Sequence, residues 1–469
     1  MTRRSRQRLR GQAMVLAVFV LLLGIAAWLR LYDAGQLVHD KSRLTQGADA
    51  AAYSGALAQA RALNLLAHIN RAQVAHQVAM AHLVTYASAA QFVQTEGARA
   101  ALRNPPTTLV GMLFGPAHGA AYASALAGRS LAAPAMLALS AAFAEHDRVV
   151  NDVLWQAQRA IVASLPATRW AAMQAVLGEH YAPGSAPGGT EFVLDPAFLD
   201  DGLPGFVAAR QGAARADMRE LVLAATARYG FLQPRDATAR NAWVVSPRCP
   251  AKRHELRRRG ATRWEGYDTW ASADTQSYHA LRSNRWIGCY FREYPMGWGH
   301  TGSGQPAAPE QHVETPPTDF GAQDFWRWVR EHTDWDIAGG SGNPLATSYG
   351  HAARVRWPAR GLPGYMGLAV ERADGPLRFA IRALRPASSI PTLDRASQVA
   401  VGGRWPGGTR LPGGALAAVS AAETYFVRPQ ARADGRDEAP NLFHPYWQAR
   451  LVPVSPAEAA EARRRQEGA

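Results

Sequence analysis

An uncharged stretch near the start of the chain sets the strongest limit on how this sequence can fold. Residues 11–29 contain nineteen amino acids without a charge, and Arg10 and Arg30 flank them. As an α-helix this stretch is about 28 Å long, close to the thickness of the hydrocarbon core of a bilayer. The sequence therefore predicts a single transmembrane helix over residues 11–29, with membrane lipid as its partner.

The charges around this stretch predict its orientation. Residues 1–10 carry five arginines and no acidic residue. Positively charged residues beside a span stay on the cytoplasmic side. We therefore expect residues 1–10 to form a cytoplasmic basic tail, and about 440 residues to lie on the other side of the membrane. This describes a single-pass membrane protein.

A cleaved secretory signal is the main alternative for the same stretch. It has the same basic start, and residues 24–26 or 25–27 could serve as a small-residue cleavage site. The apolar run over residues 13–29 is seventeen residues long, whereas the apolar core of a signal has about 7–15. The length favours an anchor that is not removed.

The overall basic charge does not predict a nucleic-acid partner. The formal net charge is +14, but four of these charges come from the first eight residues. The other arginines alternate with apolar residues and do not form one basic tract, which a nucleic-acid site would require. We therefore expect no nucleic-acid partner.

Two cysteines, Cys249 and Cys289, predict one disulfide. An exported chain meets an oxidising compartment, where a bridge closing a loop of about forty residues is the natural outcome. Two buried free thiols are the alternative. Two cysteines without a suitably spaced histidine make a poor metal site.

The periodicity of the chain predicts an α+β fold. Residues 30–235 read as a helical extracytoplasmic bundle, in which the transmembrane helix continues without a break to about residue 103. Residues 241–454 read as a β-rich extracytoplasmic domain with a long loop over residues 297–317, and residues 455–469 as a polar, frayed tail. Further helices are predicted over residues 117–131, 135–165, 167–181, 206–229 and 415–422, and strands over residues 243–245, 254–259, 262–264, 286–291, 352–357, 367–372, 377–385 and 424–427.

A row of small residues lies on one face of the predicted long helix. Gly47, Ala51 and Gly55 follow each other at intervals of four. Such a row allows another helix backbone to approach closely. We interpret it as a helix-packing site, although alanine-rich helices also contain such rows by chance.

The sequence offers one weak candidate for a catalytic site and no recognisable cofactor or metal motif. Residues 297–302 spell G-x-G-x-x-G, but the segment after them cannot begin the helix that a dinucleotide site needs. The helix histidines His68, His76 and His82 are spaced by eight and six residues, which does not place two imidazoles on one metal. We therefore expect no cofactor and no metal. The sequence contains residues that could form a hydrolytic site, but nothing in it fixes their relative positions. They are Asp274, His279, His300, Asp334 and Asp336.

The start of the chain resembles the TadE/TadG-like proteins of the Tad (Flp) tight-adherence pilus machinery. The resemblance is carried by Arg10-Gly-Gln-Ala13, the apolar span, Asp33, and Arg43-Leu-Thr-Gln-Gly-Ala-Asp-Ala-Ala-Ala-Tyr-Ser54. It implies a single-pass protein of the bacterial inner membrane, with the bulk of the chain in the periplasm and inner-membrane lipid as one partner. It also implies that the apolar helix docks among other Tad/Flp pilus or pilin-like membrane proteins.

The chain also departs from that family in two places. A prepilin has a glutamate five residues after its cleavage glycine, and Leu16 stands there if Gly11 is that glycine. Residues 274–277 lack the D-x-S-x-S metal motif that some members carry. We expect a non-enzymatic pilus-assembly component, with a membrane-tethered periplasmic hydrolase or ligand-binding protein as the alternative.

Overall fold

The computed structural model of the chain is a mixed helix-and-sheet protein. It describes residues 6–103, 105–180, 193–194, 200–267, 269–286, 288–303, 357–369, 375–386, 389–390 and 411–467.

One helix, α1 (Arg6–Ala101), contains 96 residues and begins with the apolar stretch. Its alanine-rich sequence favours a helix, and it has no proline to interrupt it. The helix ends where Arg103 adopts a positive φ of 51° just before Pro105 and Pro106. The prediction that the apolar stretch continues as one long helix is confirmed.

The side chains of residues 13–28 are all exposed in the structure. By length and composition, α1 from Ala13 onward is apolar enough to cross a membrane, and so is the helical stretch Pro116–His180. The N-terminal apolar helix could therefore span a membrane.

The helices after α1 have other bounds than the sequence predicts. They are α2 (Thr107–Phe114), α3 (Pro116–Arg148) and α4 (Trp155–His180), and a six-residue π-turn, Val149–Leu154, connects α3 to α4. The break predicted at Pro134 and the helix bounds predicted on either side of residue 166 are wrong, because Pro134 and Pro166 both lie inside helices. A proline removes one backbone hydrogen bond, and the helical residues on both sides of it keep theirs.

The remaining elements alternate between short strands, a short helix and long antiparallel strands. Between the long helices and the C terminus they are β1 (Val193–Leu194), β2 (Asp200–Asp201), β3 (Val207–Arg210), α5 (Ala216–Thr226), β4 (Arg235–Arg240), β5 (Glu255–Glu265), β6 (Thr269–Asn284), β7 (Gly288–Gly302), β8 (Tyr365–Leu368), β9 (Leu377–Pro386), β10 (Ala415–Phe426), β11 (Trp447–Val452) and α6 (Pro456–Glu467).

Five of the predicted local structures are wrong. The strand predicted over residues 243–245 is absent, because these residues lie in an irregular segment between β4 and β5. The helix predicted over 206–229 is β3 followed by the shorter α5, and the start of the loop predicted over 297–317 belongs to β7. The helix predicted over 415–422 is β10, because its backbone pairs with β9 and β11 on its two sides. The tail predicted to fray forms α6, which begins with Ser455 and Glu458 capping each other.

The chain divides into two compact units, and each contains helices and a sheet. The first consists of Met1–His68, Ala160–Ala208 and Gly367–Ala469, and the second of Ile69–Arg159 and Ala209–Met366. The division between the units therefore does not follow the predicted boundary between residues 30–235 and 241–454, because α1 and α4 contribute residues to both units.

In the first unit, helices cover an antiparallel sheet. The strand order is β1-β9-β10-β11, and β2 pairs with another part of β9. Alanines of α1 allow close packing of β9 against the helix, with Phe379 and Ile381 buried among Ala51, Ala52 and Ala56. A buried ion pair between Arg385 of β9 and Asp40 of α1 joins the same two elements.

In the second unit, the sheet has the order β4-β5-β6-β7 and every pairing is antiparallel. Its apolar cluster contains Ala100 of α1 with Val110, Tyr122, Leu256 and Met296. The predicted disulfide is confirmed: Cys249 and Cys289 are joined across a sequence separation of 40 residues.

Candidate functional site

The predicted helix-packing row lies inside the first unit. Gly47 and Ala51 are buried, and a Cβ added at Gly55 would lie 2.9 Å from the Sδ of Met173 and 3.0 Å from the Cζ of Phe379. The row therefore packs against α4 and β9 of the same chain. A partner would have to bind elsewhere on α1.

The residues of the G-x-G-x-x-G sequence lie in β7 and face α1 of the second unit. A Cβ at Gly299 would lie 2.3 Å from the backbone nitrogen of Phe92, and one at Gly297 would lie 3.1 Å from the Cβ of Glu96. These two glycines are needed because a strand and a helix backbone approach each other closely. The structure thus gives this sequence a packing role.

The three helix histidines have separate surroundings. His68 is exposed, His76 contacts His146 with their Nδ1 atoms 2.7 Å apart, and His82 stacks edge-on against Tyr229 and Phe231. Burial and the neighbouring His146 lower the pKa of His76. Within the described part of the chain, no three potential metal-ligating side chains form a cluster.

The residues considered for a hydrolytic site in the sequence analysis do not lie together, as far as the structure describes them. Asp274 forms an ion pair with Arg235, and it is five residues from His279, so the two side chains leave opposite faces of β6. His300 lies opposite Ala273, six positions from His279, which is about 20 Å along the strand. Burial lowers the pKa of His300 to about 3. Asp334 and Asp336 lie outside the described residues.

The most elaborate polar arrangement of the second unit is a set of amide side chains on α1. Asn70, Gln73 and Gln77 donate hydrogen bonds to the backbone oxygens of Met366, Gly364 and Gly361, at 2.9, 3.1 and 3.4 Å. We call these three side chains the amide ladder, and we call residues 360–366, which they hold, the strap. The strap runs antiparallel to α1, because successive amides bond to residues earlier in the chain.

Further buried bonds fix the amide ladder itself. Gln77 accepts a hydrogen bond from the indole of Trp270 at 3.3 Å, and Asn70 accepts one from Gln158. The three ladder side chains are fully or almost fully buried. An unpaired buried amide costs about 1–3 kcal/mol, so these bonds determine where the strap lies.

Arg360 at the start of the strap is bound by two carboxylates of the π-turn region. Its Nε and backbone nitrogen each donate to Asp147 at 3.0 Å, and its Nη1 and Nη2 donate to Asp152 at 2.6 and 3.0 Å. These hydrogen bonds raise the pKa of the guanidinium. Residues five apart lie about 140° apart around an α-helix, so the wider π-turn is what allows both aspartates to reach one guanidinium.

A polar cavity of about 360 Å³ opens between the strap and the π-turn. The strap contributes Arg360, Leu362 and Gly364, and a Cβ at Gly364 would lie 3.4 Å from the six-membered ring of Trp155. Arg215 donates to the backbone oxygens of Gly212 and Leu362. Among the residues that the structure describes, the lining consists of Asn151, Trp155, Gln211, Gly212, Arg215, Arg360, Leu362 and Gly364.

Glu96 is a second polar feature of the same unit. Its carboxylate is buried on α1, 3.6 Å from the half-exposed guanidinium of Arg258. Burial raises the pKa of Glu96 to about 7, and Arg258 only partly opposes this effect. The carboxyl group of Glu96 therefore changes between its protonated and its charged form near neutral pH.

Comparison of the chain with protein-family models, with curated proteins and with solved structures found no match in any of the three.

The sequence predictions did not include the amide ladder or the cavity. A signal was present, because Asn70, Gln73 and Gln77 fall at i, i+3 and i+7, the spacing of a buried helix face. Amide side chains on a buried helix face indicate that the helix forms hydrogen bonds to main-chain groups of another segment, which are not all paired within a sheet. The position of the strap had no local signal, since its bonds to α1 join residues 284 to 296 apart in sequence.

Proposed function

We propose that this chain is a single-pass inner-membrane protein and a non-enzymatic component of Tad/Flp-type pilus assembly, acting as a minor-pilin-like subunit or an assembly scaffold. Residues 11–29 form its anchor, residues 1–10 lie in the cytoplasm, and the remaining chain lies in the periplasm. Its partners are inner-membrane lipid and other pilus or pilin-like membrane proteins.

The observation that carries this proposal is the exposed apolar start of α1. Leu21 and Leu23 are 63% and 68% exposed. An uninterrupted apolar surface of this kind marks a contact with lipid or with another protein. A helix satisfies its own backbone hydrogen bonds, as a membrane-spanning segment must.

The continuity of α1 gives the anchor a mechanical role. Leu44 and Ala48 of the same helix are buried against Ala383 and Ala418 of the first sheet. The fifteen residues from Leu29 to Leu44 span about 22 Å as a helix. The helix thus supports a folded unit that begins about four turns beyond the end of the apolar stretch.

Two further observations support the periplasmic and pilus parts of the proposal. The disulfide between Cys249 and Cys289 fits an oxidising compartment. The resemblance of residues 10–54 to TadE/TadG-like proteins supports the assembly role. Because the Gly47–Gly55 row is buried within the first unit, the proposal places docking to other pilus proteins on residues 11–29.

Cysteine labelling tests the topology. Both native cysteines are in the disulfide, so an added cysteine is the only free thiol. A membrane-impermeant maleimide added to cells with a permeabilised outer membrane should label Ser42→Cys, whose site is exposed. Ser5→Cys should be labelled only after lysis. The reverse pattern would refute the orientation, and a soluble mature protein that begins near residue 27 would refute the anchor.

Photo-crosslinking tests the assembly role. A photoreactive residue at Val20, which is 61% exposed, should crosslink to another pilus membrane protein in cells that contain the pilus genes. The matched control is the same variant in cells without those genes. Normal piliation after deletion of this chain would refute the proposal.

A membrane-tethered ligand-binding protein is the second candidate, and the polar cavity of the second unit favours it. A tethered hydrolase has less support, because Asp274, His279 and His300 are not gathered at one point.

A further inference from the structure

The cavity between the strap and the π-turn has the size and the walls of a small-ligand site. Its volume of about 360 Å³ is near the lower end of the range of about 300–1,000 Å³ for such sites. This volume suits one or two rings and excludes a folded peptide segment.

The lining combines one aromatic wall with several planar hydrogen-bonding groups. Trp155 supplies the indole, Asn151 and Gln211 supply carboxamides, and Arg215 supplies a guanidinium. Carboxamides both donate and accept hydrogen bonds, whereas a guanidinium only donates. Leu362 is the one aliphatic side chain of the lining, so the walls do not match an acyl chain.

The charges of the cavity and its rim balance. Arg215 and Arg360 are positive, and Asp147 and Asp152, which hold Arg360, are negative. A site selective for a phosphate or a polyanion has an excess of positive charge. These four groups provide no such excess, which favours a polar ligand of low charge.

The walls are held in position before any ligand arrives. The amide ladder holds the strap, Arg360 bonds to two aspartates, and Trp155 lies against Gly364. Binding to a rigid cavity loses less conformational freedom than binding to a loose one. A modest number of hydrogen bonds is then enough for measurable affinity.

We propose that this cavity binds a saccharide unit. A pyranose ring has an apolar C–H face that stacks on an indole, and a rim of hydroxyl groups that both donate and accept. Trp155 takes the face of the ring, and Gln211 bonds to its hydroxyls. Asn151 accepts from a hydroxyl through its Oδ1, because its Nδ2 already donates to Asp147, and Arg215 donates to a hydroxyl beside its bonds to Gly212 and Leu362. This site is independent of the role of the chain in pilus assembly.

Ligand-observed saturation-transfer NMR tests this proposal on the purified full-length chain. The detergent is lauryldimethylamine oxide, because it has no sugar head group. The probes are methyl β-D-glucopyranoside, N-acetyl-D-glucosamine and D-galacturonate. At least one should give saturable transfer, and failure of all three would overturn the proposal. Inorganic phosphate should not displace the bound sugar; displacement would reassign the cavity to anions.

Variants assign the binding to the cavity. Trp155→Ala should weaken it about tenfold through loss of the stacking wall. The matched control is Trp243→Ala, which removes an exposed tryptophan of the same unit that does not line the cavity. Unchanged binding in Trp155→Ala, or an equal loss in Trp243→Ala, would overturn the assignment.

A second variant keeps the test decisive if Trp155→Ala does not fold. Gln211 is exposed at the rim of the cavity. Gln211→Ala should therefore weaken sugar binding while the thermal unfolding midpoint stays unchanged. Full affinity in Gln211→Ala, together with an unfolded Trp155→Ala, would also refute the saccharide site.

Discussion

Two regions of α1 differ in an unexpected way: one exposes apolar side chains, and the other buries polar side chains. Residues 13–28 are apolar and exposed, whereas the buried face from Asp40 to Arg99 carries acids, amides, hydroxyls and an arginine. In water the first region would be unfavourable, because exposed apolar side chains gain from leaving it. Each region is consistent with a different solvent: lipid for the first, and the backbone of the folded chain for the second.

The difference shows that a long helix can organise a fold through buried polar side chains in addition to its buried alanines and leucines. Asn64 both donates to and accepts from the backbone of Trp447, and Gln59 accepts from Thr424. The contacts of Asn64 are of the same kind as the amide ladder in the second unit, whereas Gln59 contacts a side-chain hydroxyl. The buried face of α1 therefore recognises backbone groups along much of its length.

The largest expected effect comes from placing a charge in the exposed region. Leu21→Arg should cost about 2.5–3.5 kcal/mol of insertion free energy at the middle of a span. We expect the protein to leave the membrane fraction or to be degraded, and piliation to be lost. Leu21→Phe is the control and should fractionate normally. Unchanged fractionation and pili in Leu21→Arg would contradict the assignment of lipid to this region.

A smaller effect on the cell, because the protein should still reach the membrane, is expected from removing a charge in the buried region. Asp40→Asn deprives the buried guanidinium of Arg385 of its carboxylate, and breaking such a pair costs about 3–5 kcal/mol. The free energy of unfolding from denaturant titration measures this. The control is Asp434→Asn in the exposed pair with Arg432, where we expect a much smaller change. Equal effects would mean that burial does not distinguish the two pairs.

The smallest effect depends on pH and concerns Glu96. The pKa of its carboxyl is raised to about 7, so the folded chain holds this proton more tightly than the unfolded chain. The free energy of unfolding should then fall by about 3 kcal/mol as pH rises from about 4.5 to about 7.

Glu96→Gln should remove that pH dependence and be more stable than the parent at pH 8. The exposed Glu220→Gln serves as the matched control, because it should leave the curve unchanged. Thermal unfolding midpoints at a series of pH values would show this. If the midpoints of Glu96→Gln changed with pH in parallel with those of the parent, the raised pKa of Glu96 would be contradicted.

Features with a local cause could be predicted from the sequence. The length of α1 follows from alanine content and the absence of proline, and the disulfide was predicted from two cysteines together with an apolar stretch that suggests export. The alanine-rich β10 was predicted in part as a helix, because helix propensity is a local property. Its pairing with β9 and β11 outweighs that propensity.

The candidate site could not be predicted, because its parts are distant in sequence. The cavity joins Trp155, Arg215 and Leu362. Only the fold brings these residues together, and the π-turn that aligns Asp147 with Asp152 has no established local sequence signal. The amides of α1 were visible, but their backbone partners were not.

The amide ladder also bears on how this chain can change over generations. Its three bonds end on main-chain oxygen atoms, which every amino acid carries. Substitutions at positions such as Leu362 can therefore alter the inner surface of the cavity while the path of the strap is kept. The bonds that fix the path of the strap therefore do not depend on the side chains that would select a ligand. The ligand preference can change while the strap keeps its position.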